Sequence, residues 1–129
     1  MNVLFLIGRI LFGGYFIYNG INHFANLKAV SGYAVSKGVR SPQTAVIIAG
    51  ILLLIGGIAV LLGIYPTVGL ISLVVFLVPV TLVMHAYWAD ADPNMKMADM
   101  VNFGKNIALL GAALVMFIVP HPWPLGIAG

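Results

Sequence analysis

The chain alternates long apolar runs with short polar joints. Residues 2–21 are apolar except for Asn2 at the start, Arg9 and Asn19. Residues 43–64 and 67–89 hold no charge, and the second of these carries Pro79 and His85. Each run is long enough to cross a hydrocarbon core of ~30 Å as a helix. A fourth run is weaker. Residues 107–119 alone are too short, but extended back to Asn102 the segment 102–119 spans if Lys105 snorkels or finds a partner. The runs do not alternate with period two, and helices satisfy their own backbone groups in lipid, so the pattern predicts helices rather than barrel strands.

The joints carry readable chemistry. Ser41-Pro42 can cap and open the second span, with Pro at the first helical position, where no amide is needed. Gly63-Ile-Tyr-Pro66 leaves room only for a tight turn, so spans two and three form an antiparallel hairpin. Pro79 should kink span three, and Pro120-His-Pro-Trp-Pro124 should stop span four with Trp123 at the headgroup layer. Between spans one and two, Leu27, Val30, Tyr33 and Ala34 recur at helical spacing. They predict a short helix lying in the interface. The first span has its basic residue inside the apolar run and no small-residue cleavage site after it, unlike a secretory signal.

Composition narrows the class. Of 129 residues only 7% are charged, against roughly 25% in soluble domains, and 62% are hydrophobic. Nine charges do not keep a surface of this size in water. The net charge of +3 comes from scattered cations that form no phosphate-binding stripe, which argues against nucleic acid as a partner. With no cysteine, disulfides, thiolate metal sites and iron–sulfur clusters are excluded. The expectation is one all-α integral membrane domain over residues 1–129, a bundle of four transmembrane helices in the lipid bilayer.

Four crossings bring both termini to one side and gather nearly all polar groups at the other. That end holds Asn19, Asn22, His23, His85, Asp90, Asp92, Asp99, Asn102, Lys105 and Asn106. His23 follows Asn19 by four residues and shares its helix face. Polar groups at membrane depth are costly and mark function. We take His85, Lys105, Asn106, His23 and Asn19 as the candidate site for a quinone or a partner. A quinone carbonyl needs hydrogen-bond donors and its ring an apolar slot, which Phe24, Tyr87 and Phe103 can line. An imidazole titrates near neutrality and can exchange a proton with such a ligand. A bis-histidine haem on His23 and His85 would require both rings to face one iron, and is disfavoured. The methionines at 95, 97 and 100 are soft enough for Cu(I), but more simply dip into lipid. Arg9 can snorkel, bond helix carbonyls or meet a lipid phosphate. No metal ligand set, nucleophile–base pair or phosphate loop is visible, and Asp90 and Asp92 look like turn and cap residues.

The residues resemble the DoxX family of small bacterial membrane proteins with four helices. The likeness lies in Gly8-Arg-Ile-Leu-Phe-Gly-Gly-Tyr-Phe-Ile-Tyr-Asn-Gly-Ile-Asn-His-Phe24, in the Gly-rich Leu54–Gly63 run, in His85, and in Phe103-Gly-Lys-Asn-Ile-Ala-Leu-Leu-Gly111. His23 stands where relatives carry Lys, and Leu53 roughly where many carry Glu. The resemblance implies a multi-pass protein of the bacterial cytoplasmic (inner) membrane, acting with other membrane protein subunits of a quinone-linked redox complex. A structural or assembly subunit is the alternative. A small transporter ranks third, because no midplane ionic site is present. Five cations, Lys28, Lys37, Arg40, Lys96 and Lys105, put the polar end in the cytoplasm, whereas the basic termini common in the family suggest the reverse.

Overall fold

Proline opens three of the long helices. The computed structural model describes residues 1–127, so the last two residues of the expected domain lie outside the described residues. It contains α1 (Asn2–Ala25), α2 (Leu27–Ser36), α3 (Pro42–Leu62), α4 (Pro66–Met84), a 3-10 turn (Tyr87–Ala89) and α5 (Pro93–Met116). Pro42, Pro66 and Pro93 sit in the first turn of α3, α4 and α5, where a missing amide costs nothing. Ser41 precedes α3 in a left-handed conformation and makes no side-chain cap, so proline alone marks that boundary. Gly63, at φ 66°, ends α3 and leaves two residues before Pro66. The expected hairpin of α3 and α4 follows.

Three helical segments are long and apolar enough to cross a membrane: Asn2–Ala25, Pro42–Leu62 and Pro66–Ala89. α5 begins nine residues earlier than the apolar pattern indicates, because Asp92 accepts from the amide of Asn94 and caps it. α5 therefore carries Lys96, Asp99 and Lys105, which keeps it out of that set. α4 passes through Pro79 and ends at Met84, four residues after Val80, and the 3-10 turn replaces its expected last turn.

α1 packs on α3, α3 on α4 and α4 on α5, while α2 lies against α3. Glycine lets the first pair approach closely. A Cβ on Gly57 would stand 2.8 Å from the Gly13 carbonyl oxygen, and one on Gly13 would stand 2.7 Å from that of Gly57. Small residues are the usual means of helix contact in lipid, where tails are as apolar as side chains. The shared core is Phe16, Leu53, Val60, Leu70, Leu73, Leu77, Ala113 and Trp123. α1 and α5 close the series without extended packing on each other, and the candidate site lies in the space they leave.

Candidate functional site

Asn19, His23, His85, Lys105 and Asn106 line one cavity of about 530 Å³. α1 brings the first two, α5 the last two, and the connector after α4 brings His85. The walls are apolar: Phe16, Leu52, Leu53, Phe76, Val80 and Val83 face it from α1, α3 and α4. Phe24, Tyr87 and Phe103, expected to form the ring slot, are not among the lining residues; Tyr15, Phe16 and Phe76 take that place. Tyr87, Trp88 and Phe103 instead pack edge-on with one another beside the 3-10 turn. Among the described residues no carboxylate lines the cavity, and its polar groups are the Lys105 cation, asparagine amides, the two imidazoles and the hydroxyls of Tyr15 and Tyr33. Lys105 Nζ reaches across to the Tyr15 ring, 5.5 Å from its centroid, at the open side between α1 and α5.

The histidine partners fix their tautomers. His23 Nδ1 lies 2.8 Å from the Asn19 carbonyl oxygen, which only accepts, so Nδ1 donates. His85 Nδ1 lies 3.4 Å from Asp99 Oδ1 and donates likewise. Each imidazole then keeps Nε2 for another partner. Asn19 itself donates to the Tyr15 carbonyl at 2.8 Å.

Behind His85 stands a charge cluster that the sequence reading did not assemble. Asp99 is the one buried residue in the first two turns of α5. It accepts from Tyr33 Oη at 3.1 Å, from His85 Nδ1, and from Lys37 Nζ in a short ion pair. Lys37 also pairs with Asp90 Oδ1 at 3.3 Å. Asp90 is therefore an ion-pair partner rather than a turn residue, while Asp92 is the cap expected of it. Burial by itself drives the Asp99 carboxyl upward, but hydrogen bonds, that from Lys37 foremost, outweigh it and hold the group at about 2. The bond to Asp99 raises the Lys37 ammonium against its own burial. Burial and then the bond to Asp99 raise the Tyr33 phenol.

The opposite end holds Arg9, only 1% exposed. It does not snorkel, and among the described residues it meets no carboxylate. Nε donates to the Val60 carbonyl at 3.1 Å, Nη2 to Leu61 at 3.0 Å, and Nη1 to Pro124 at 2.6 Å. The residues after α5 fold back over the end of the bundle, and Trp123 is buried against Phe5 instead of facing headgroups.

A signal for Asp99 was present in the sequence. Asp99, Asn106 and Ala113 recur every seven residues, and they are the buried residues of α5. Starting the fourth run at Asn102 cut the stripe before its first member. Tyr33 and Lys37 gave no such signal, since their partners are 66 and 62 residues away.

Known proteins point to the same class. The family model for DoxX matches residues 4–86, from the first turn of α1 to the residue after His85. α5 lies outside that match, so the likeness at Phe103–Gly111 rests on the motif itself. The chain is 28% identical over 116 residues to inner membrane protein YphA of Escherichia coli (strain K12), covering 90% of this chain and 82% of that protein. No solved structure matches.

Proposed function

The chain belongs to the DoxX family and is a multi-pass protein of the bacterial inner membrane, and from that premise we propose that it is an accessory subunit of a membrane redox complex that binds a quinone. One observation carries this reading: the five polar residues gather at one apolar cavity whose rim holds no carboxylate. An apolar slot with a few convergent polar groups suits a lipophilic ring bearing oxygens. Lys105 and Asn106 supply donors for carbonyl oxygens, and the Nε2 atoms of His23 and His85 supply acceptors for hydroxyls. The residues thus fit both the oxidised and the reduced form of such a ligand. Electrons would reach it from a cofactor held by a partner subunit.

This reading includes a fourth crossing by α5 over residues 102–119, with Lys105 at its polar margin and the Asp99 cluster outside it. It places α2 in the interface, roofing the polar end of the cavity with Val30, Tyr33 and Ala34. The open side between α1 and α5 then faces lipid, the source of a quinone. The polar end lies in the cytoplasm by its cation count.

The test is purification from the native membrane in mild detergent, with identification of co-purifying subunits and extraction of bound quinone. His85→Ala and Lys105→Ala should cut turnover about tenfold or more while the complex still assembles. Full activity with both changes, in complexes free of quinone, would overturn the reading.

A structural role has one observation in its favour. Gly104 and Gly111 on α5 are exposed, and a Cβ on either would meet nothing within 4 Å. A helix partner can use that face, whereas Gly13, Gly56, Gly57 and Gly69 are already consumed inside the bundle. Gly111→Leu should release such a partner without touching the cavity.

A further inference from the structure

We propose that His85 and the two carboxylates behind it form a loading site for one exchangeable proton, carried on the imidazole and delivered to the cavity. The inference rests on the quinone reading only for the proton's destination.

The argument begins with a charge count. Asp90 and Asp99 bring two negative charges and Lys37 one positive charge, all with side chains under a tenth exposed. With a neutral imidazole and both carboxylates ionised, the cluster carries one surplus negative charge away from water, an arrangement that calls for another cation or a proton. The hydrogen bonds show where the surplus is felt. Asp99 has three partners, but Asp90 Oδ2 is buried and has none. A proton added at Nε2 of His85 restores neutrality, and the Nδ1–H contact to Asp99 is already formed to stabilise the resulting imidazolium.

The placement gives that proton a route. His85 alone belongs both to the ion-pair cluster and to the cavity rim, apart from Tyr33, whose hydroxyl is turned to Asp99. Asp90 follows the 3-10 turn and borders the exposed residues 91–98, where water reaches the chain. The proton leaves Nε2 for an oxygen acceptor in the cavity, forming an O–H bond while the imidazole returns to neutral. A water then returns a proton to Nε2, since Nδ1 keeps the one it donates to Asp99. The remaining titratable groups facing this space are Tyr33 and Lys37 from the α2 side, Lys105 from α5, and Tyr15 and His23 from α1. Burial of the ring opposes loading first, and the charges of Lys105, which has no carboxylate partner among the described residues, and of Lys37 add to it, so the site does not hold its proton permanently. Asp99 acts through His85 and is a positioning residue.

Infrared difference spectra of the reconstituted protein, recorded without quinone between about pH 5 and 8, test this directly. The expected result is an imidazole ring band and a carboxylate stretch that change together, the latter because ionised Asp99 changes its hydrogen bond. His85→Gln should remove both changes. Asp99→Asn should leave a histidine titration without its carboxylate companion. Asp90→Asn deletes the surplus charge and keeps the Asp99 contacts, so it serves if Asp99→Asn does not fold. It should move the imidazole change to lower pH. Three results would overturn the proposal: no coupled change in the wild type, a coupled change that survives His85→Gln, or one that follows sodium at constant pH. The last would make the cluster a metal-cation site. Loss of quinone binding with the coupled change intact would sink the quinone reading alone.

Discussion

Tyr33 on α2 donates a hydrogen bond to Asp99 on α5 at 3.1 Å, joining residues 66 apart in the chain. With Lys37 it is the means by which α2 holds α5, since the two helices share no extended packing. α2 therefore packs on α3 but reaches α5 across the cavity through side chains alone. Tyr33→Phe removes one bond to a charged acceptor and should cost about 1.5–3 kcal/mol locally. Amide exchange in α2 should quicken about tenfold or more, while that of α3 stays unchanged. Equal exchange in α2 before and after the change would show that the apolar contacts with α3 suffice.

Acid should release the same roof. Asp99 is held at about 2, below its ordinary 3.8. A depressed carboxyl contributes stability that is complete above its unfolded value and is lost as pH falls toward the folded one. The loss therefore runs from about pH 4 down to about 2. Lys37 is raised, so its contribution is complete below its ordinary 10.5 and fades only as pH rises above that value. The roof should stay shut across the neutral range and open in acid. Labelling of Ala34→Cys by a dipyridyl disulfide, in a chain with no native cysteine and expressed relative to a free thiol at the same pH, should accelerate between pH 4 and 2. In Asp99→Asn the labelling should be fast at neutral pH and lack that acid step.

Cavity volume can be removed without touching a polar group. Ala49 lines the cavity from α3 and is half-buried. Ala49→Phe should fill part of the about 530 Å³ with a ring and weaken quinone binding at least tenfold, with thermal stability kept within about 1–3 kcal/mol. Binding by extraction and a melting curve in detergent check the two halves separately. Unchanged binding would place the ligand elsewhere.

Glycines divide into two groups by the space around them. A Cβ on Gly57 would meet the Gly13 carbonyl oxygen at 2.8 Å and the Ile17 amide nitrogen at 2.9 Å, both backbone atoms that cannot swing aside. Gly57→Ala should thus force α1 from α3 and cost about 1–3 kcal/mol. Gly8 and Gly104 face open space within their helices, and alanine there should be neutral or gain up to about 1 kcal/mol. Denaturation midpoints in mixed detergent order the three variants.

Helix identity was legible because lipid imposes one rule on every crossing segment, an apolar length, and proline and Gly63 mark the breaks. The convergence of Asn19, His23, His85, Lys105 and Asn106 was legible for a related reason. Few polar residues exist, and antiparallel helices bring their ends together. Pairing across the chain was not. Nothing local announces that Lys37 meets Asp90 and Asp99, because the contact depends on the path of α2 over the cavity. Trp123 illustrates the same limit. A tryptophan after the last apolar run fits the headgroup layer by composition, yet the Pro-rich tail turns back and buries it against Phe5.

That turn depends on Arg9. Its guanidinium donates to carbonyl oxygens of Val60 and Leu61 at the end of α3, and of Pro124 in the tail, while the Ile127 amide donates to the Leu62 carbonyl at 2.9 Å. A charge 1% exposed is tolerated here because each carbonyl it meets is itself short of a donor at a helix end or turn, and because the Phe5 and Trp123 rings lie 5.6 and 5.9 Å from the guanidinium. Arg9→Met keeps much of the apolar stem and strips the donors. Each lost bond to a charged donor is worth about 1.5–3 kcal/mol, so the tail should detach. Trp123 would then pass from a buried site to an accessible one, whereas Trp88 is 56% exposed already. Emission from Arg9→Met in a Trp88→Phe background should become quenchable by iodide, and the unmutated chain in that background should resist it. Arg9→Lys retains the charge without the fork and should give an intermediate result. Equal quenching in all three proteins would mean that Trp123 packing on Phe5, not the guanidinium, keeps the tail in place.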